Sequence, residues 1–195
     1  MSVAHPLIEW LQSQGESAMG CPYSFGDLWA NHAKKSDFAS RAELYPYLGW
    51  GNDKTMMTSA DWANTCAVRM SVCLSRCGMS LDSPPIRARV QQSCPDQRLR
   101  GKAIVLGFDR LAKMLKKRWG VPTVFPNLQQ SDLNNKKGVI AFFGLPGGYP
   151  GHIDLIRDSA MPWSFLFLSG DGTSYESGTG SYFGSRESWF WPSKG

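Results

Sequence analysis

The stretch Asn64-Thr65-Cys66-Ala67-Val68-Arg69-Met70-Ser71 constrains this chain more than any other, because it sets a cysteine directly behind cap-type residues at the start of an apolar-periodic run. Asn and Thr satisfy the orphan donors of a helix start, so the helix is expected to begin at Cys66. Ala67, Met70, Leu74 and Cys77 recur at spacings of three and four, which predicts one apolar stripe with Arg69, Ser71 and Ser75 off it. Gly78 ends the helix as a C′ glycine. The first turn of a helix presents unpaired backbone N–H groups and partial positive charge, the setting in which cysteines serve as nucleophiles. Cys66 and Met70 share a face, so the thiol is mounted on a helix packed against a core.

A histidine with comparable local grammar follows far downstream. Gly138-Val139-Ile140-Ala141-Phe142-Phe143 reads as a short apolar strand, residues 144–151 as a loop dense in Gly and Pro, and His152 to Arg157 as a second strand. Alternation places His152, Asp154 and Ile156 on one face and Ile153, Leu155 and Arg157 on the other. Ser164-Phe165-Leu166-Phe167-Leu168 reads as a third strand, antiparallel to the second across a turn over 158–163.

A catalytic imidazole needs a partner on its second nitrogen to fix the tautomer and stabilise the imidazolium. With the turn centred near 160–161, His152 faces positions 169–171 of the third strand, where Asp171 is the only carboxylate. Asp154 is the second candidate, although residues two apart on a strand point in parallel, and Asp158, in the turn, is the third. The residue types then define the chemistry. His152 takes the Cys66 proton, the thiolate attacks a carbonyl, and backbone N–H groups at the helix start, including that of Cys66 itself, hold the oxyanion with Asn64 and Thr65 as support. No metal or cofactor is called for: His5 and His32 lack the paired spacing of a zinc site, and no Cys-x-x-Cys occurs.

Cysteine on a helix and histidine on a distant strand is the order found in papain-like and NlpC/P60-like cysteine hydrolases. The Asn64–Ser71 segment resembles the cysteine motif of the type VI secretion amidase effectors of family 4. Gly151-His152-Ile153-Asp154-Leu155 resembles their histidine motif, and Trp189-Phe190-Trp191-Pro192 their final strand. The resemblance implies an α+β, papain-like/NlpC-P60-like fold with the nucleophile helix packed on an antiparallel sheet. It implies a toxin that cleaves the D-glutamate–meso-diaminopimelate amide of peptidoglycan, with Cys66 as nucleophile and His152 as base. It also implies a cognate immunity protein that blocks the Cys66 cleft in the producing cell.

Composition sets the remaining bounds. The 195 residues suit a single domain, 1–195, in which the first sixty form a lead-in without a motif. A net charge of +5 draws the protein toward the carboxylates of the wall polymer. A basic amphipathic helix over 110–120, with Leu111, Met114, Leu115 and Arg118 on its stripe, reads as a solvated face rather than a nucleic-acid reader, since no recognition motif accompanies it. Short helices are expected at Pro6–Gln14 and at Ser24–Ala33, the latter capped by Ser24 with Asp27. The aromatic segment 45–51 reads as a packed loop, with a ligand groove as the alternative. No basic n-region and no apolar run of membrane length occur, which predicts a chain that starts in the cytoplasm, uses the secretion machinery and reaches the periplasm of a target bacterium. There, Cys21 or Cys94 could enter a disulfide, whereas Cys73 and Cys77 sit one helical turn apart. A housekeeping NlpC/P60-like peptidase, an amidase acting on protein, and a non-catalytic basic binding module are the competing readings.

Overall fold

The computed structural model describes residues 20–34, 36–59, 62–82, 87–145, 150–157 and 181–195. The expected helix at 6–14, the expected strand at 164–168, and both Asp158 and Asp171 lie outside the described residues. Helices α1 (Phe25–Asn31), α2 (Arg41–Tyr47) and α3 (Lys54–Thr58) precede α4 (Cys66–Arg76). A two-stranded antiparallel ribbon, β1 (Arg87–Arg89) and β2 (Ala103–Val105), leads to α5 (Phe108–Trp119). Strands β3 (Thr123–Pro126), β4 (Gly138–Phe143), β5 (Gly151–Ile156) and β6 (Glu187–Pro192) then form an antiparallel sheet in the order β3-β6-β4-β5. The last strand of the chain is therefore an inner strand.

Helix α4 departs from its expected one-sided pattern. Ala67, Met70 and Leu74 enter a core shared with Leu28 of α1, Leu111 and Leu115 of α5, and Ile153 and Leu155 of β5. Val68 and Val72 enter a second core with Leu44, Tyr45, Trp50 and Ile104. Two apolar stripes leave no solvated face, so Arg69, Ser71 and Ser75 are buried as well. The first two are satisfied by neighbouring elements, as buried polar groups must be. Arg69 donates to Thr65 Oγ1 at 2.9 Å and to the carbonyls of Ala33 and Phe38 at 2.8 Å each. The Ser71 hydroxyl donates to the Val105 carbonyl and accepts the Val105 N–H, pinning the helix to β2. Gly78 ends the helix at φ +89°, as its C′ position demands.

Local signals at the other elements are equally physical. Ser24 Oγ accepts the Asp27 N–H at 3.0 Å and starts α1. The helix stops at Asn31, earlier than its sequence pattern suggests, and His32 turns extended (φ −69°, ψ 136°), which sends its ring inward. In the 45–51 segment Tyr45 and Trp50 are buried and hydrogen-bonded to the carbonyls of Trp62 and Arg89, so these aromatics pack rather than line a groove. On α5 the buried stripe is Leu111, Ala112, Leu115 and Trp119, with Arg118 exposed rather than on the stripe. The five thiols are free; Cys21, Cys66 and Cys73 share the first core, and Cys94 sits apart in the second.

Candidate active site

Cys66 is the first residue of α4 and is 2% exposed. Its N–H donates to Asn64 Oδ1 at 3.1 Å, an Asx-type start to the helix. Asn64, itself exposed, is thus the side chain that caps this turn. Thr65 makes no side-chain cap; its hydroxyl accepts from Arg69 instead. The sequence reading gave both residues as support for the oxyanion at this helix start; the Thr65 hydroxyl oxygen fixes the buried arginine.

His152 reaches this helix end from β5. Gly151 explains why a glycine precedes it: at φ +155°, a Cβ there would lie 2.2 Å from the Phe142 carbonyl oxygen and 2.3 Å from the Phe108 ring. The register pairs His152 with Phe142 and Asp154 with Ile140. The Cys66 sulfur is close enough to the His152 ring to favour its charged form. The ring Nε2 lies 3.3 Å from Asp154 Oδ2. Burial opposes charge on this imidazole, but Tyr182, the Cys66 sulfur and the hydrogen bond with Asp154 outweigh it and hold its pKa well above the ordinary histidine value. Tyr182, on a 3-10 turn at Ser181–Gly184, places its ring centroid 5.2 Å from that of His152.

Of the three candidate carboxylates, Asp154 is the one the described residues bring to His152. Parallel projection along a strand argued against this pair, yet the two side chains meet. The cause is local: Asp154 Oδ1 accepts the Leu155 N–H at 2.7 Å, which tilts the carboxylate along the strand. Asp154 also lies 3.4 Å from the Nε2 of His32, a residue that sequence reasoning set aside once it lacked zinc spacing. Only the tertiary fold brings the end of α1 to β5, so no local signal marks His32. Among the described residues, no group of three His, Cys, Asp or Glu could hold a metal ion.

Half-buried Phe108, Phe143 and Trp189 form an aromatic wall beside Gly151, with centroids 5.5 Å apart for the first pair and 4.7 Å for the second. A separate open groove of about 780 Å³, lined by Lys136, Lys137 and Lys194 among others, lies at the opposite end of β4 from His152. It holds no member of the Cys66–His152 constellation. No helix among the described residues is long and apolar enough to cross a membrane.

The geometry agrees with the comparisons. No relative emerges among curated proteins. Among solved structures, the Salmonella typhimurium effector Tae4, seen with its immunity protein Tai4, superimposes with a TM-score of 0.63 at 22% identity, covering 88% of this chain and 99% of that one. Tae4 from Enterobacter cloacae gives 0.61 at 20% identity, over 90% and 99% of the two chains. The Salmonella typhimurium Tae4 in complex with Enterobacter cloacae Tai4 gives 0.60 at 23% identity, over 88% and 99%. These likenesses establish the papain-like, NlpC/P60-like α+β fold. Residues 62–191, from just before the cysteine helix to the final strand, match the sequence profile of type VI secretion system (T6SS) amidase effector protein 4, so the chain belongs to the Tae4 family of amidase effectors.

Proposed function

We propose that this amidase hydrolyses the D-glutamyl–meso-diaminopimelate amide of peptidoglycan, with Cys66 as nucleophile, His152 as general base and acid, and Asp154 as the carboxylate that orients His152. The observation that carries this reading is the convergence of Cys66, at the start of α4, with a His152 ring whose Nε2 lies 3.3 Å from Asp154 Oδ2 and whose charged form the Cys66 sulfur favours. With Nε2 engaged, Nδ1 serves the thiol. His152 takes the Cys66 proton as sulfur attacks the scissile carbonyl carbon, and the C=O pair becomes an oxyanion. The Asn64 amide, fixed through its Oδ1 by the Cys66 N–H, offers its Nδ2 hydrogens to that oxyanion. Collapse breaks the C–N bond while His152 passes its proton to the leaving amine. Water, deprotonated by His152, then hydrolyses the thioester and regenerates the thiol.

A raised His152 pKa suits this cycle, since the imidazolium must persist beside sulfur until the amine departs. The chain, 1–195, acts as one domain in this reading, supported by Cys21 and Leu28, which share the core of α4. The chain is carried by the type VI machinery from the producer's cytoplasm to a neighbour's periplasm, and a cognate immunity protein covers the Cys66 cleft. The Tai4 complexes of the relatives support that partner.

Digestion of purified diaminopimelate-type peptidoglycan, read by mass spectrometry, tests the proposal. Stem fragments ending in D-glutamate with wild type and none with Cys66→Ala are expected. Fragments cut at another bond, or persisting with Cys66→Ala, would overturn it.

A further inference from the structure

His32 is a buried titratable group beside the site that the proposed mechanism leaves unused. It is 2% exposed, and neither ring nitrogen has a hydrogen-bond partner among the described residues. A buried imidazole without partners costs about 1–3 kcal/mol per orphaned polar group, so a fold retains one only where something else is gained. Its Nε2 points at Asp154 Oδ1 from 3.4 Å, inside ion-pair range but short of hydrogen-bond alignment. Catalytic hydrogen bonds are often long in unliganded enzymes and tighten when substrate binds.

The carboxylate of Asp154 is thus addressed on both oxygens. Oδ2 faces His152, while Oδ1 takes the Leu155 N–H and faces His32. The Leu155 N–H holds Oδ1 from the strand side alone, and a further donor from His32 on that oxygen would resist rotation about the Cβ–Cγ bond and with it a swing of the His152 ring. The groups that face His32 are Asp154 and His152 on β5, Arg69 on α4 and Lys34 just along its own chain. Arg69, Lys34 and His152 all disfavour a second positive charge there, and burial does so most strongly, bringing the His32 pKa down to about 4. A neutral ring has one N–H to give. The Ala33 carbonyl next to it is held by Arg69, which locks the backbone that carries the ring.

We propose that His32 is a positioning residue that acts in its neutral Nε2–H form, donating to Asp154 Oδ1 and so holding the carboxylate, and through it the His152 ring, in register with Cys66. The proposal rests on the Cys66–His152–Asp154 reading above. It extends the array by one member, from a helix end that sequence reading had assigned no chemistry.

The test combines kinetics on a soluble tetrapeptide-stem muropeptide with nitrogen-15 NMR of the imidazoles in the full chain. The wild-type His32 ring is expected as the Nε2–H tautomer at neutral pH. His32→Phe, which keeps bulk without a donor, is expected to lower kcat by about tenfold to a hundredfold, the usual cost of losing such a supporting contact, with KM unchanged and with the His152 titration moved down. His32→Gln, which restores an N–H, should stay within about threefold of wild type by the same reasoning. An Nδ1–H tautomer in wild type, a His32→Phe enzyme with unaltered kcat and His152 titration, or equal losses in His32→Phe and His32→Gln would each overturn the proposal. Peptidoglycan cleavage that survives Cys66→Ala instead brings down the underlying mechanism, whatever the His32 variants do.

Discussion

Arg69 Nη1 donates to the Ala33 carbonyl at 2.8 Å, so the helix that carries Cys66 grips the backbone beside His32 through a fully buried arginine. Three separate acceptors share this one guanidinium, and its removal takes a buried donor from each. Arg69→Met is therefore expected to lower unfolding free energy by about 3 kcal/mol or more. Arg69→Lys should also destabilise, since an ammonium cannot reproduce the planar fork. Urea denaturation of the two variants reads both outcomes.

The two buried histidines make opposite contributions to stability as pH changes. His32 titrates at about 4 in the folded protein against an ordinary 6.5, so between these values the unfolded chain binds more protons than the native one. Stability from this residue is fully present above about pH 6.5 and is lost as pH falls toward 4, by an amount of the order of 3 kcal/mol. His152 is raised, so its stabilisation is complete below the ordinary histidine value and is lost as pH rises through its folded pKa. His32→Gln should flatten the acid side of a urea-midpoint against pH curve and leave the alkaline side in place.

Asn64 can be separated into its two roles. Asn64→Asp keeps an oxygen for the Cys66 N–H but loses the amide hydrogens offered to the oxyanion. Thermal unfolding should move little, while kcat falls by about a hundredfold, the typical effect of deleting one oxyanion donor. A kcat equal to wild type would remove Asn64 from the oxyanion site.

Gly151→Ala is expected to be far more damaging than its size suggests. The new methyl would meet the Phe142 carbonyl oxygen at 2.2 Å, and backbone carbonyl positions in a paired strand cannot give way cheaply. The strand must shift at the residue next to His152. Loss of stability by roughly 2 kcal/mol or more, with muropeptide hydrolysis abolished even where the protein remains folded, is the expected pair of readouts.

Much of the site was legible because its signals are local. Asn64 ahead of Cys66, Gly78 at the helix end, the apolar run of β4 and the alternating faces of β5 are all written within a few residues of where they act. What failed to show is long-range. The burial of Arg69, Ser71 and Ser75 depends on a second core built by Leu44, Tyr45, Trp50 and Ile104, which the stripe on α4 alone could not announce. The approach of Asp154 to His152 turned on one backbone N–H at Leu155, a detail finer than strand alternation. His32 was visible only as a histidine; its partner lies on a strand far away in sequence.

The position of β6 couples the strand that carries His152 to the approach to α1. Its residues pair with β3 on one side and with β4 on the other, the latter being the strand that holds β5 and His152 in place. The last residue of β6 and one just beyond it also clasp the approach to α1, through Cys21 N–H to the Pro192 carbonyl and Lys194 N–H to the Tyr23 carbonyl. Loosening β6 would therefore unfasten two things at once, the sheet that holds His152 and the segment that leads into α1. The pairing of Cys66 with His152 thus leans on a strand that gives it no side chain.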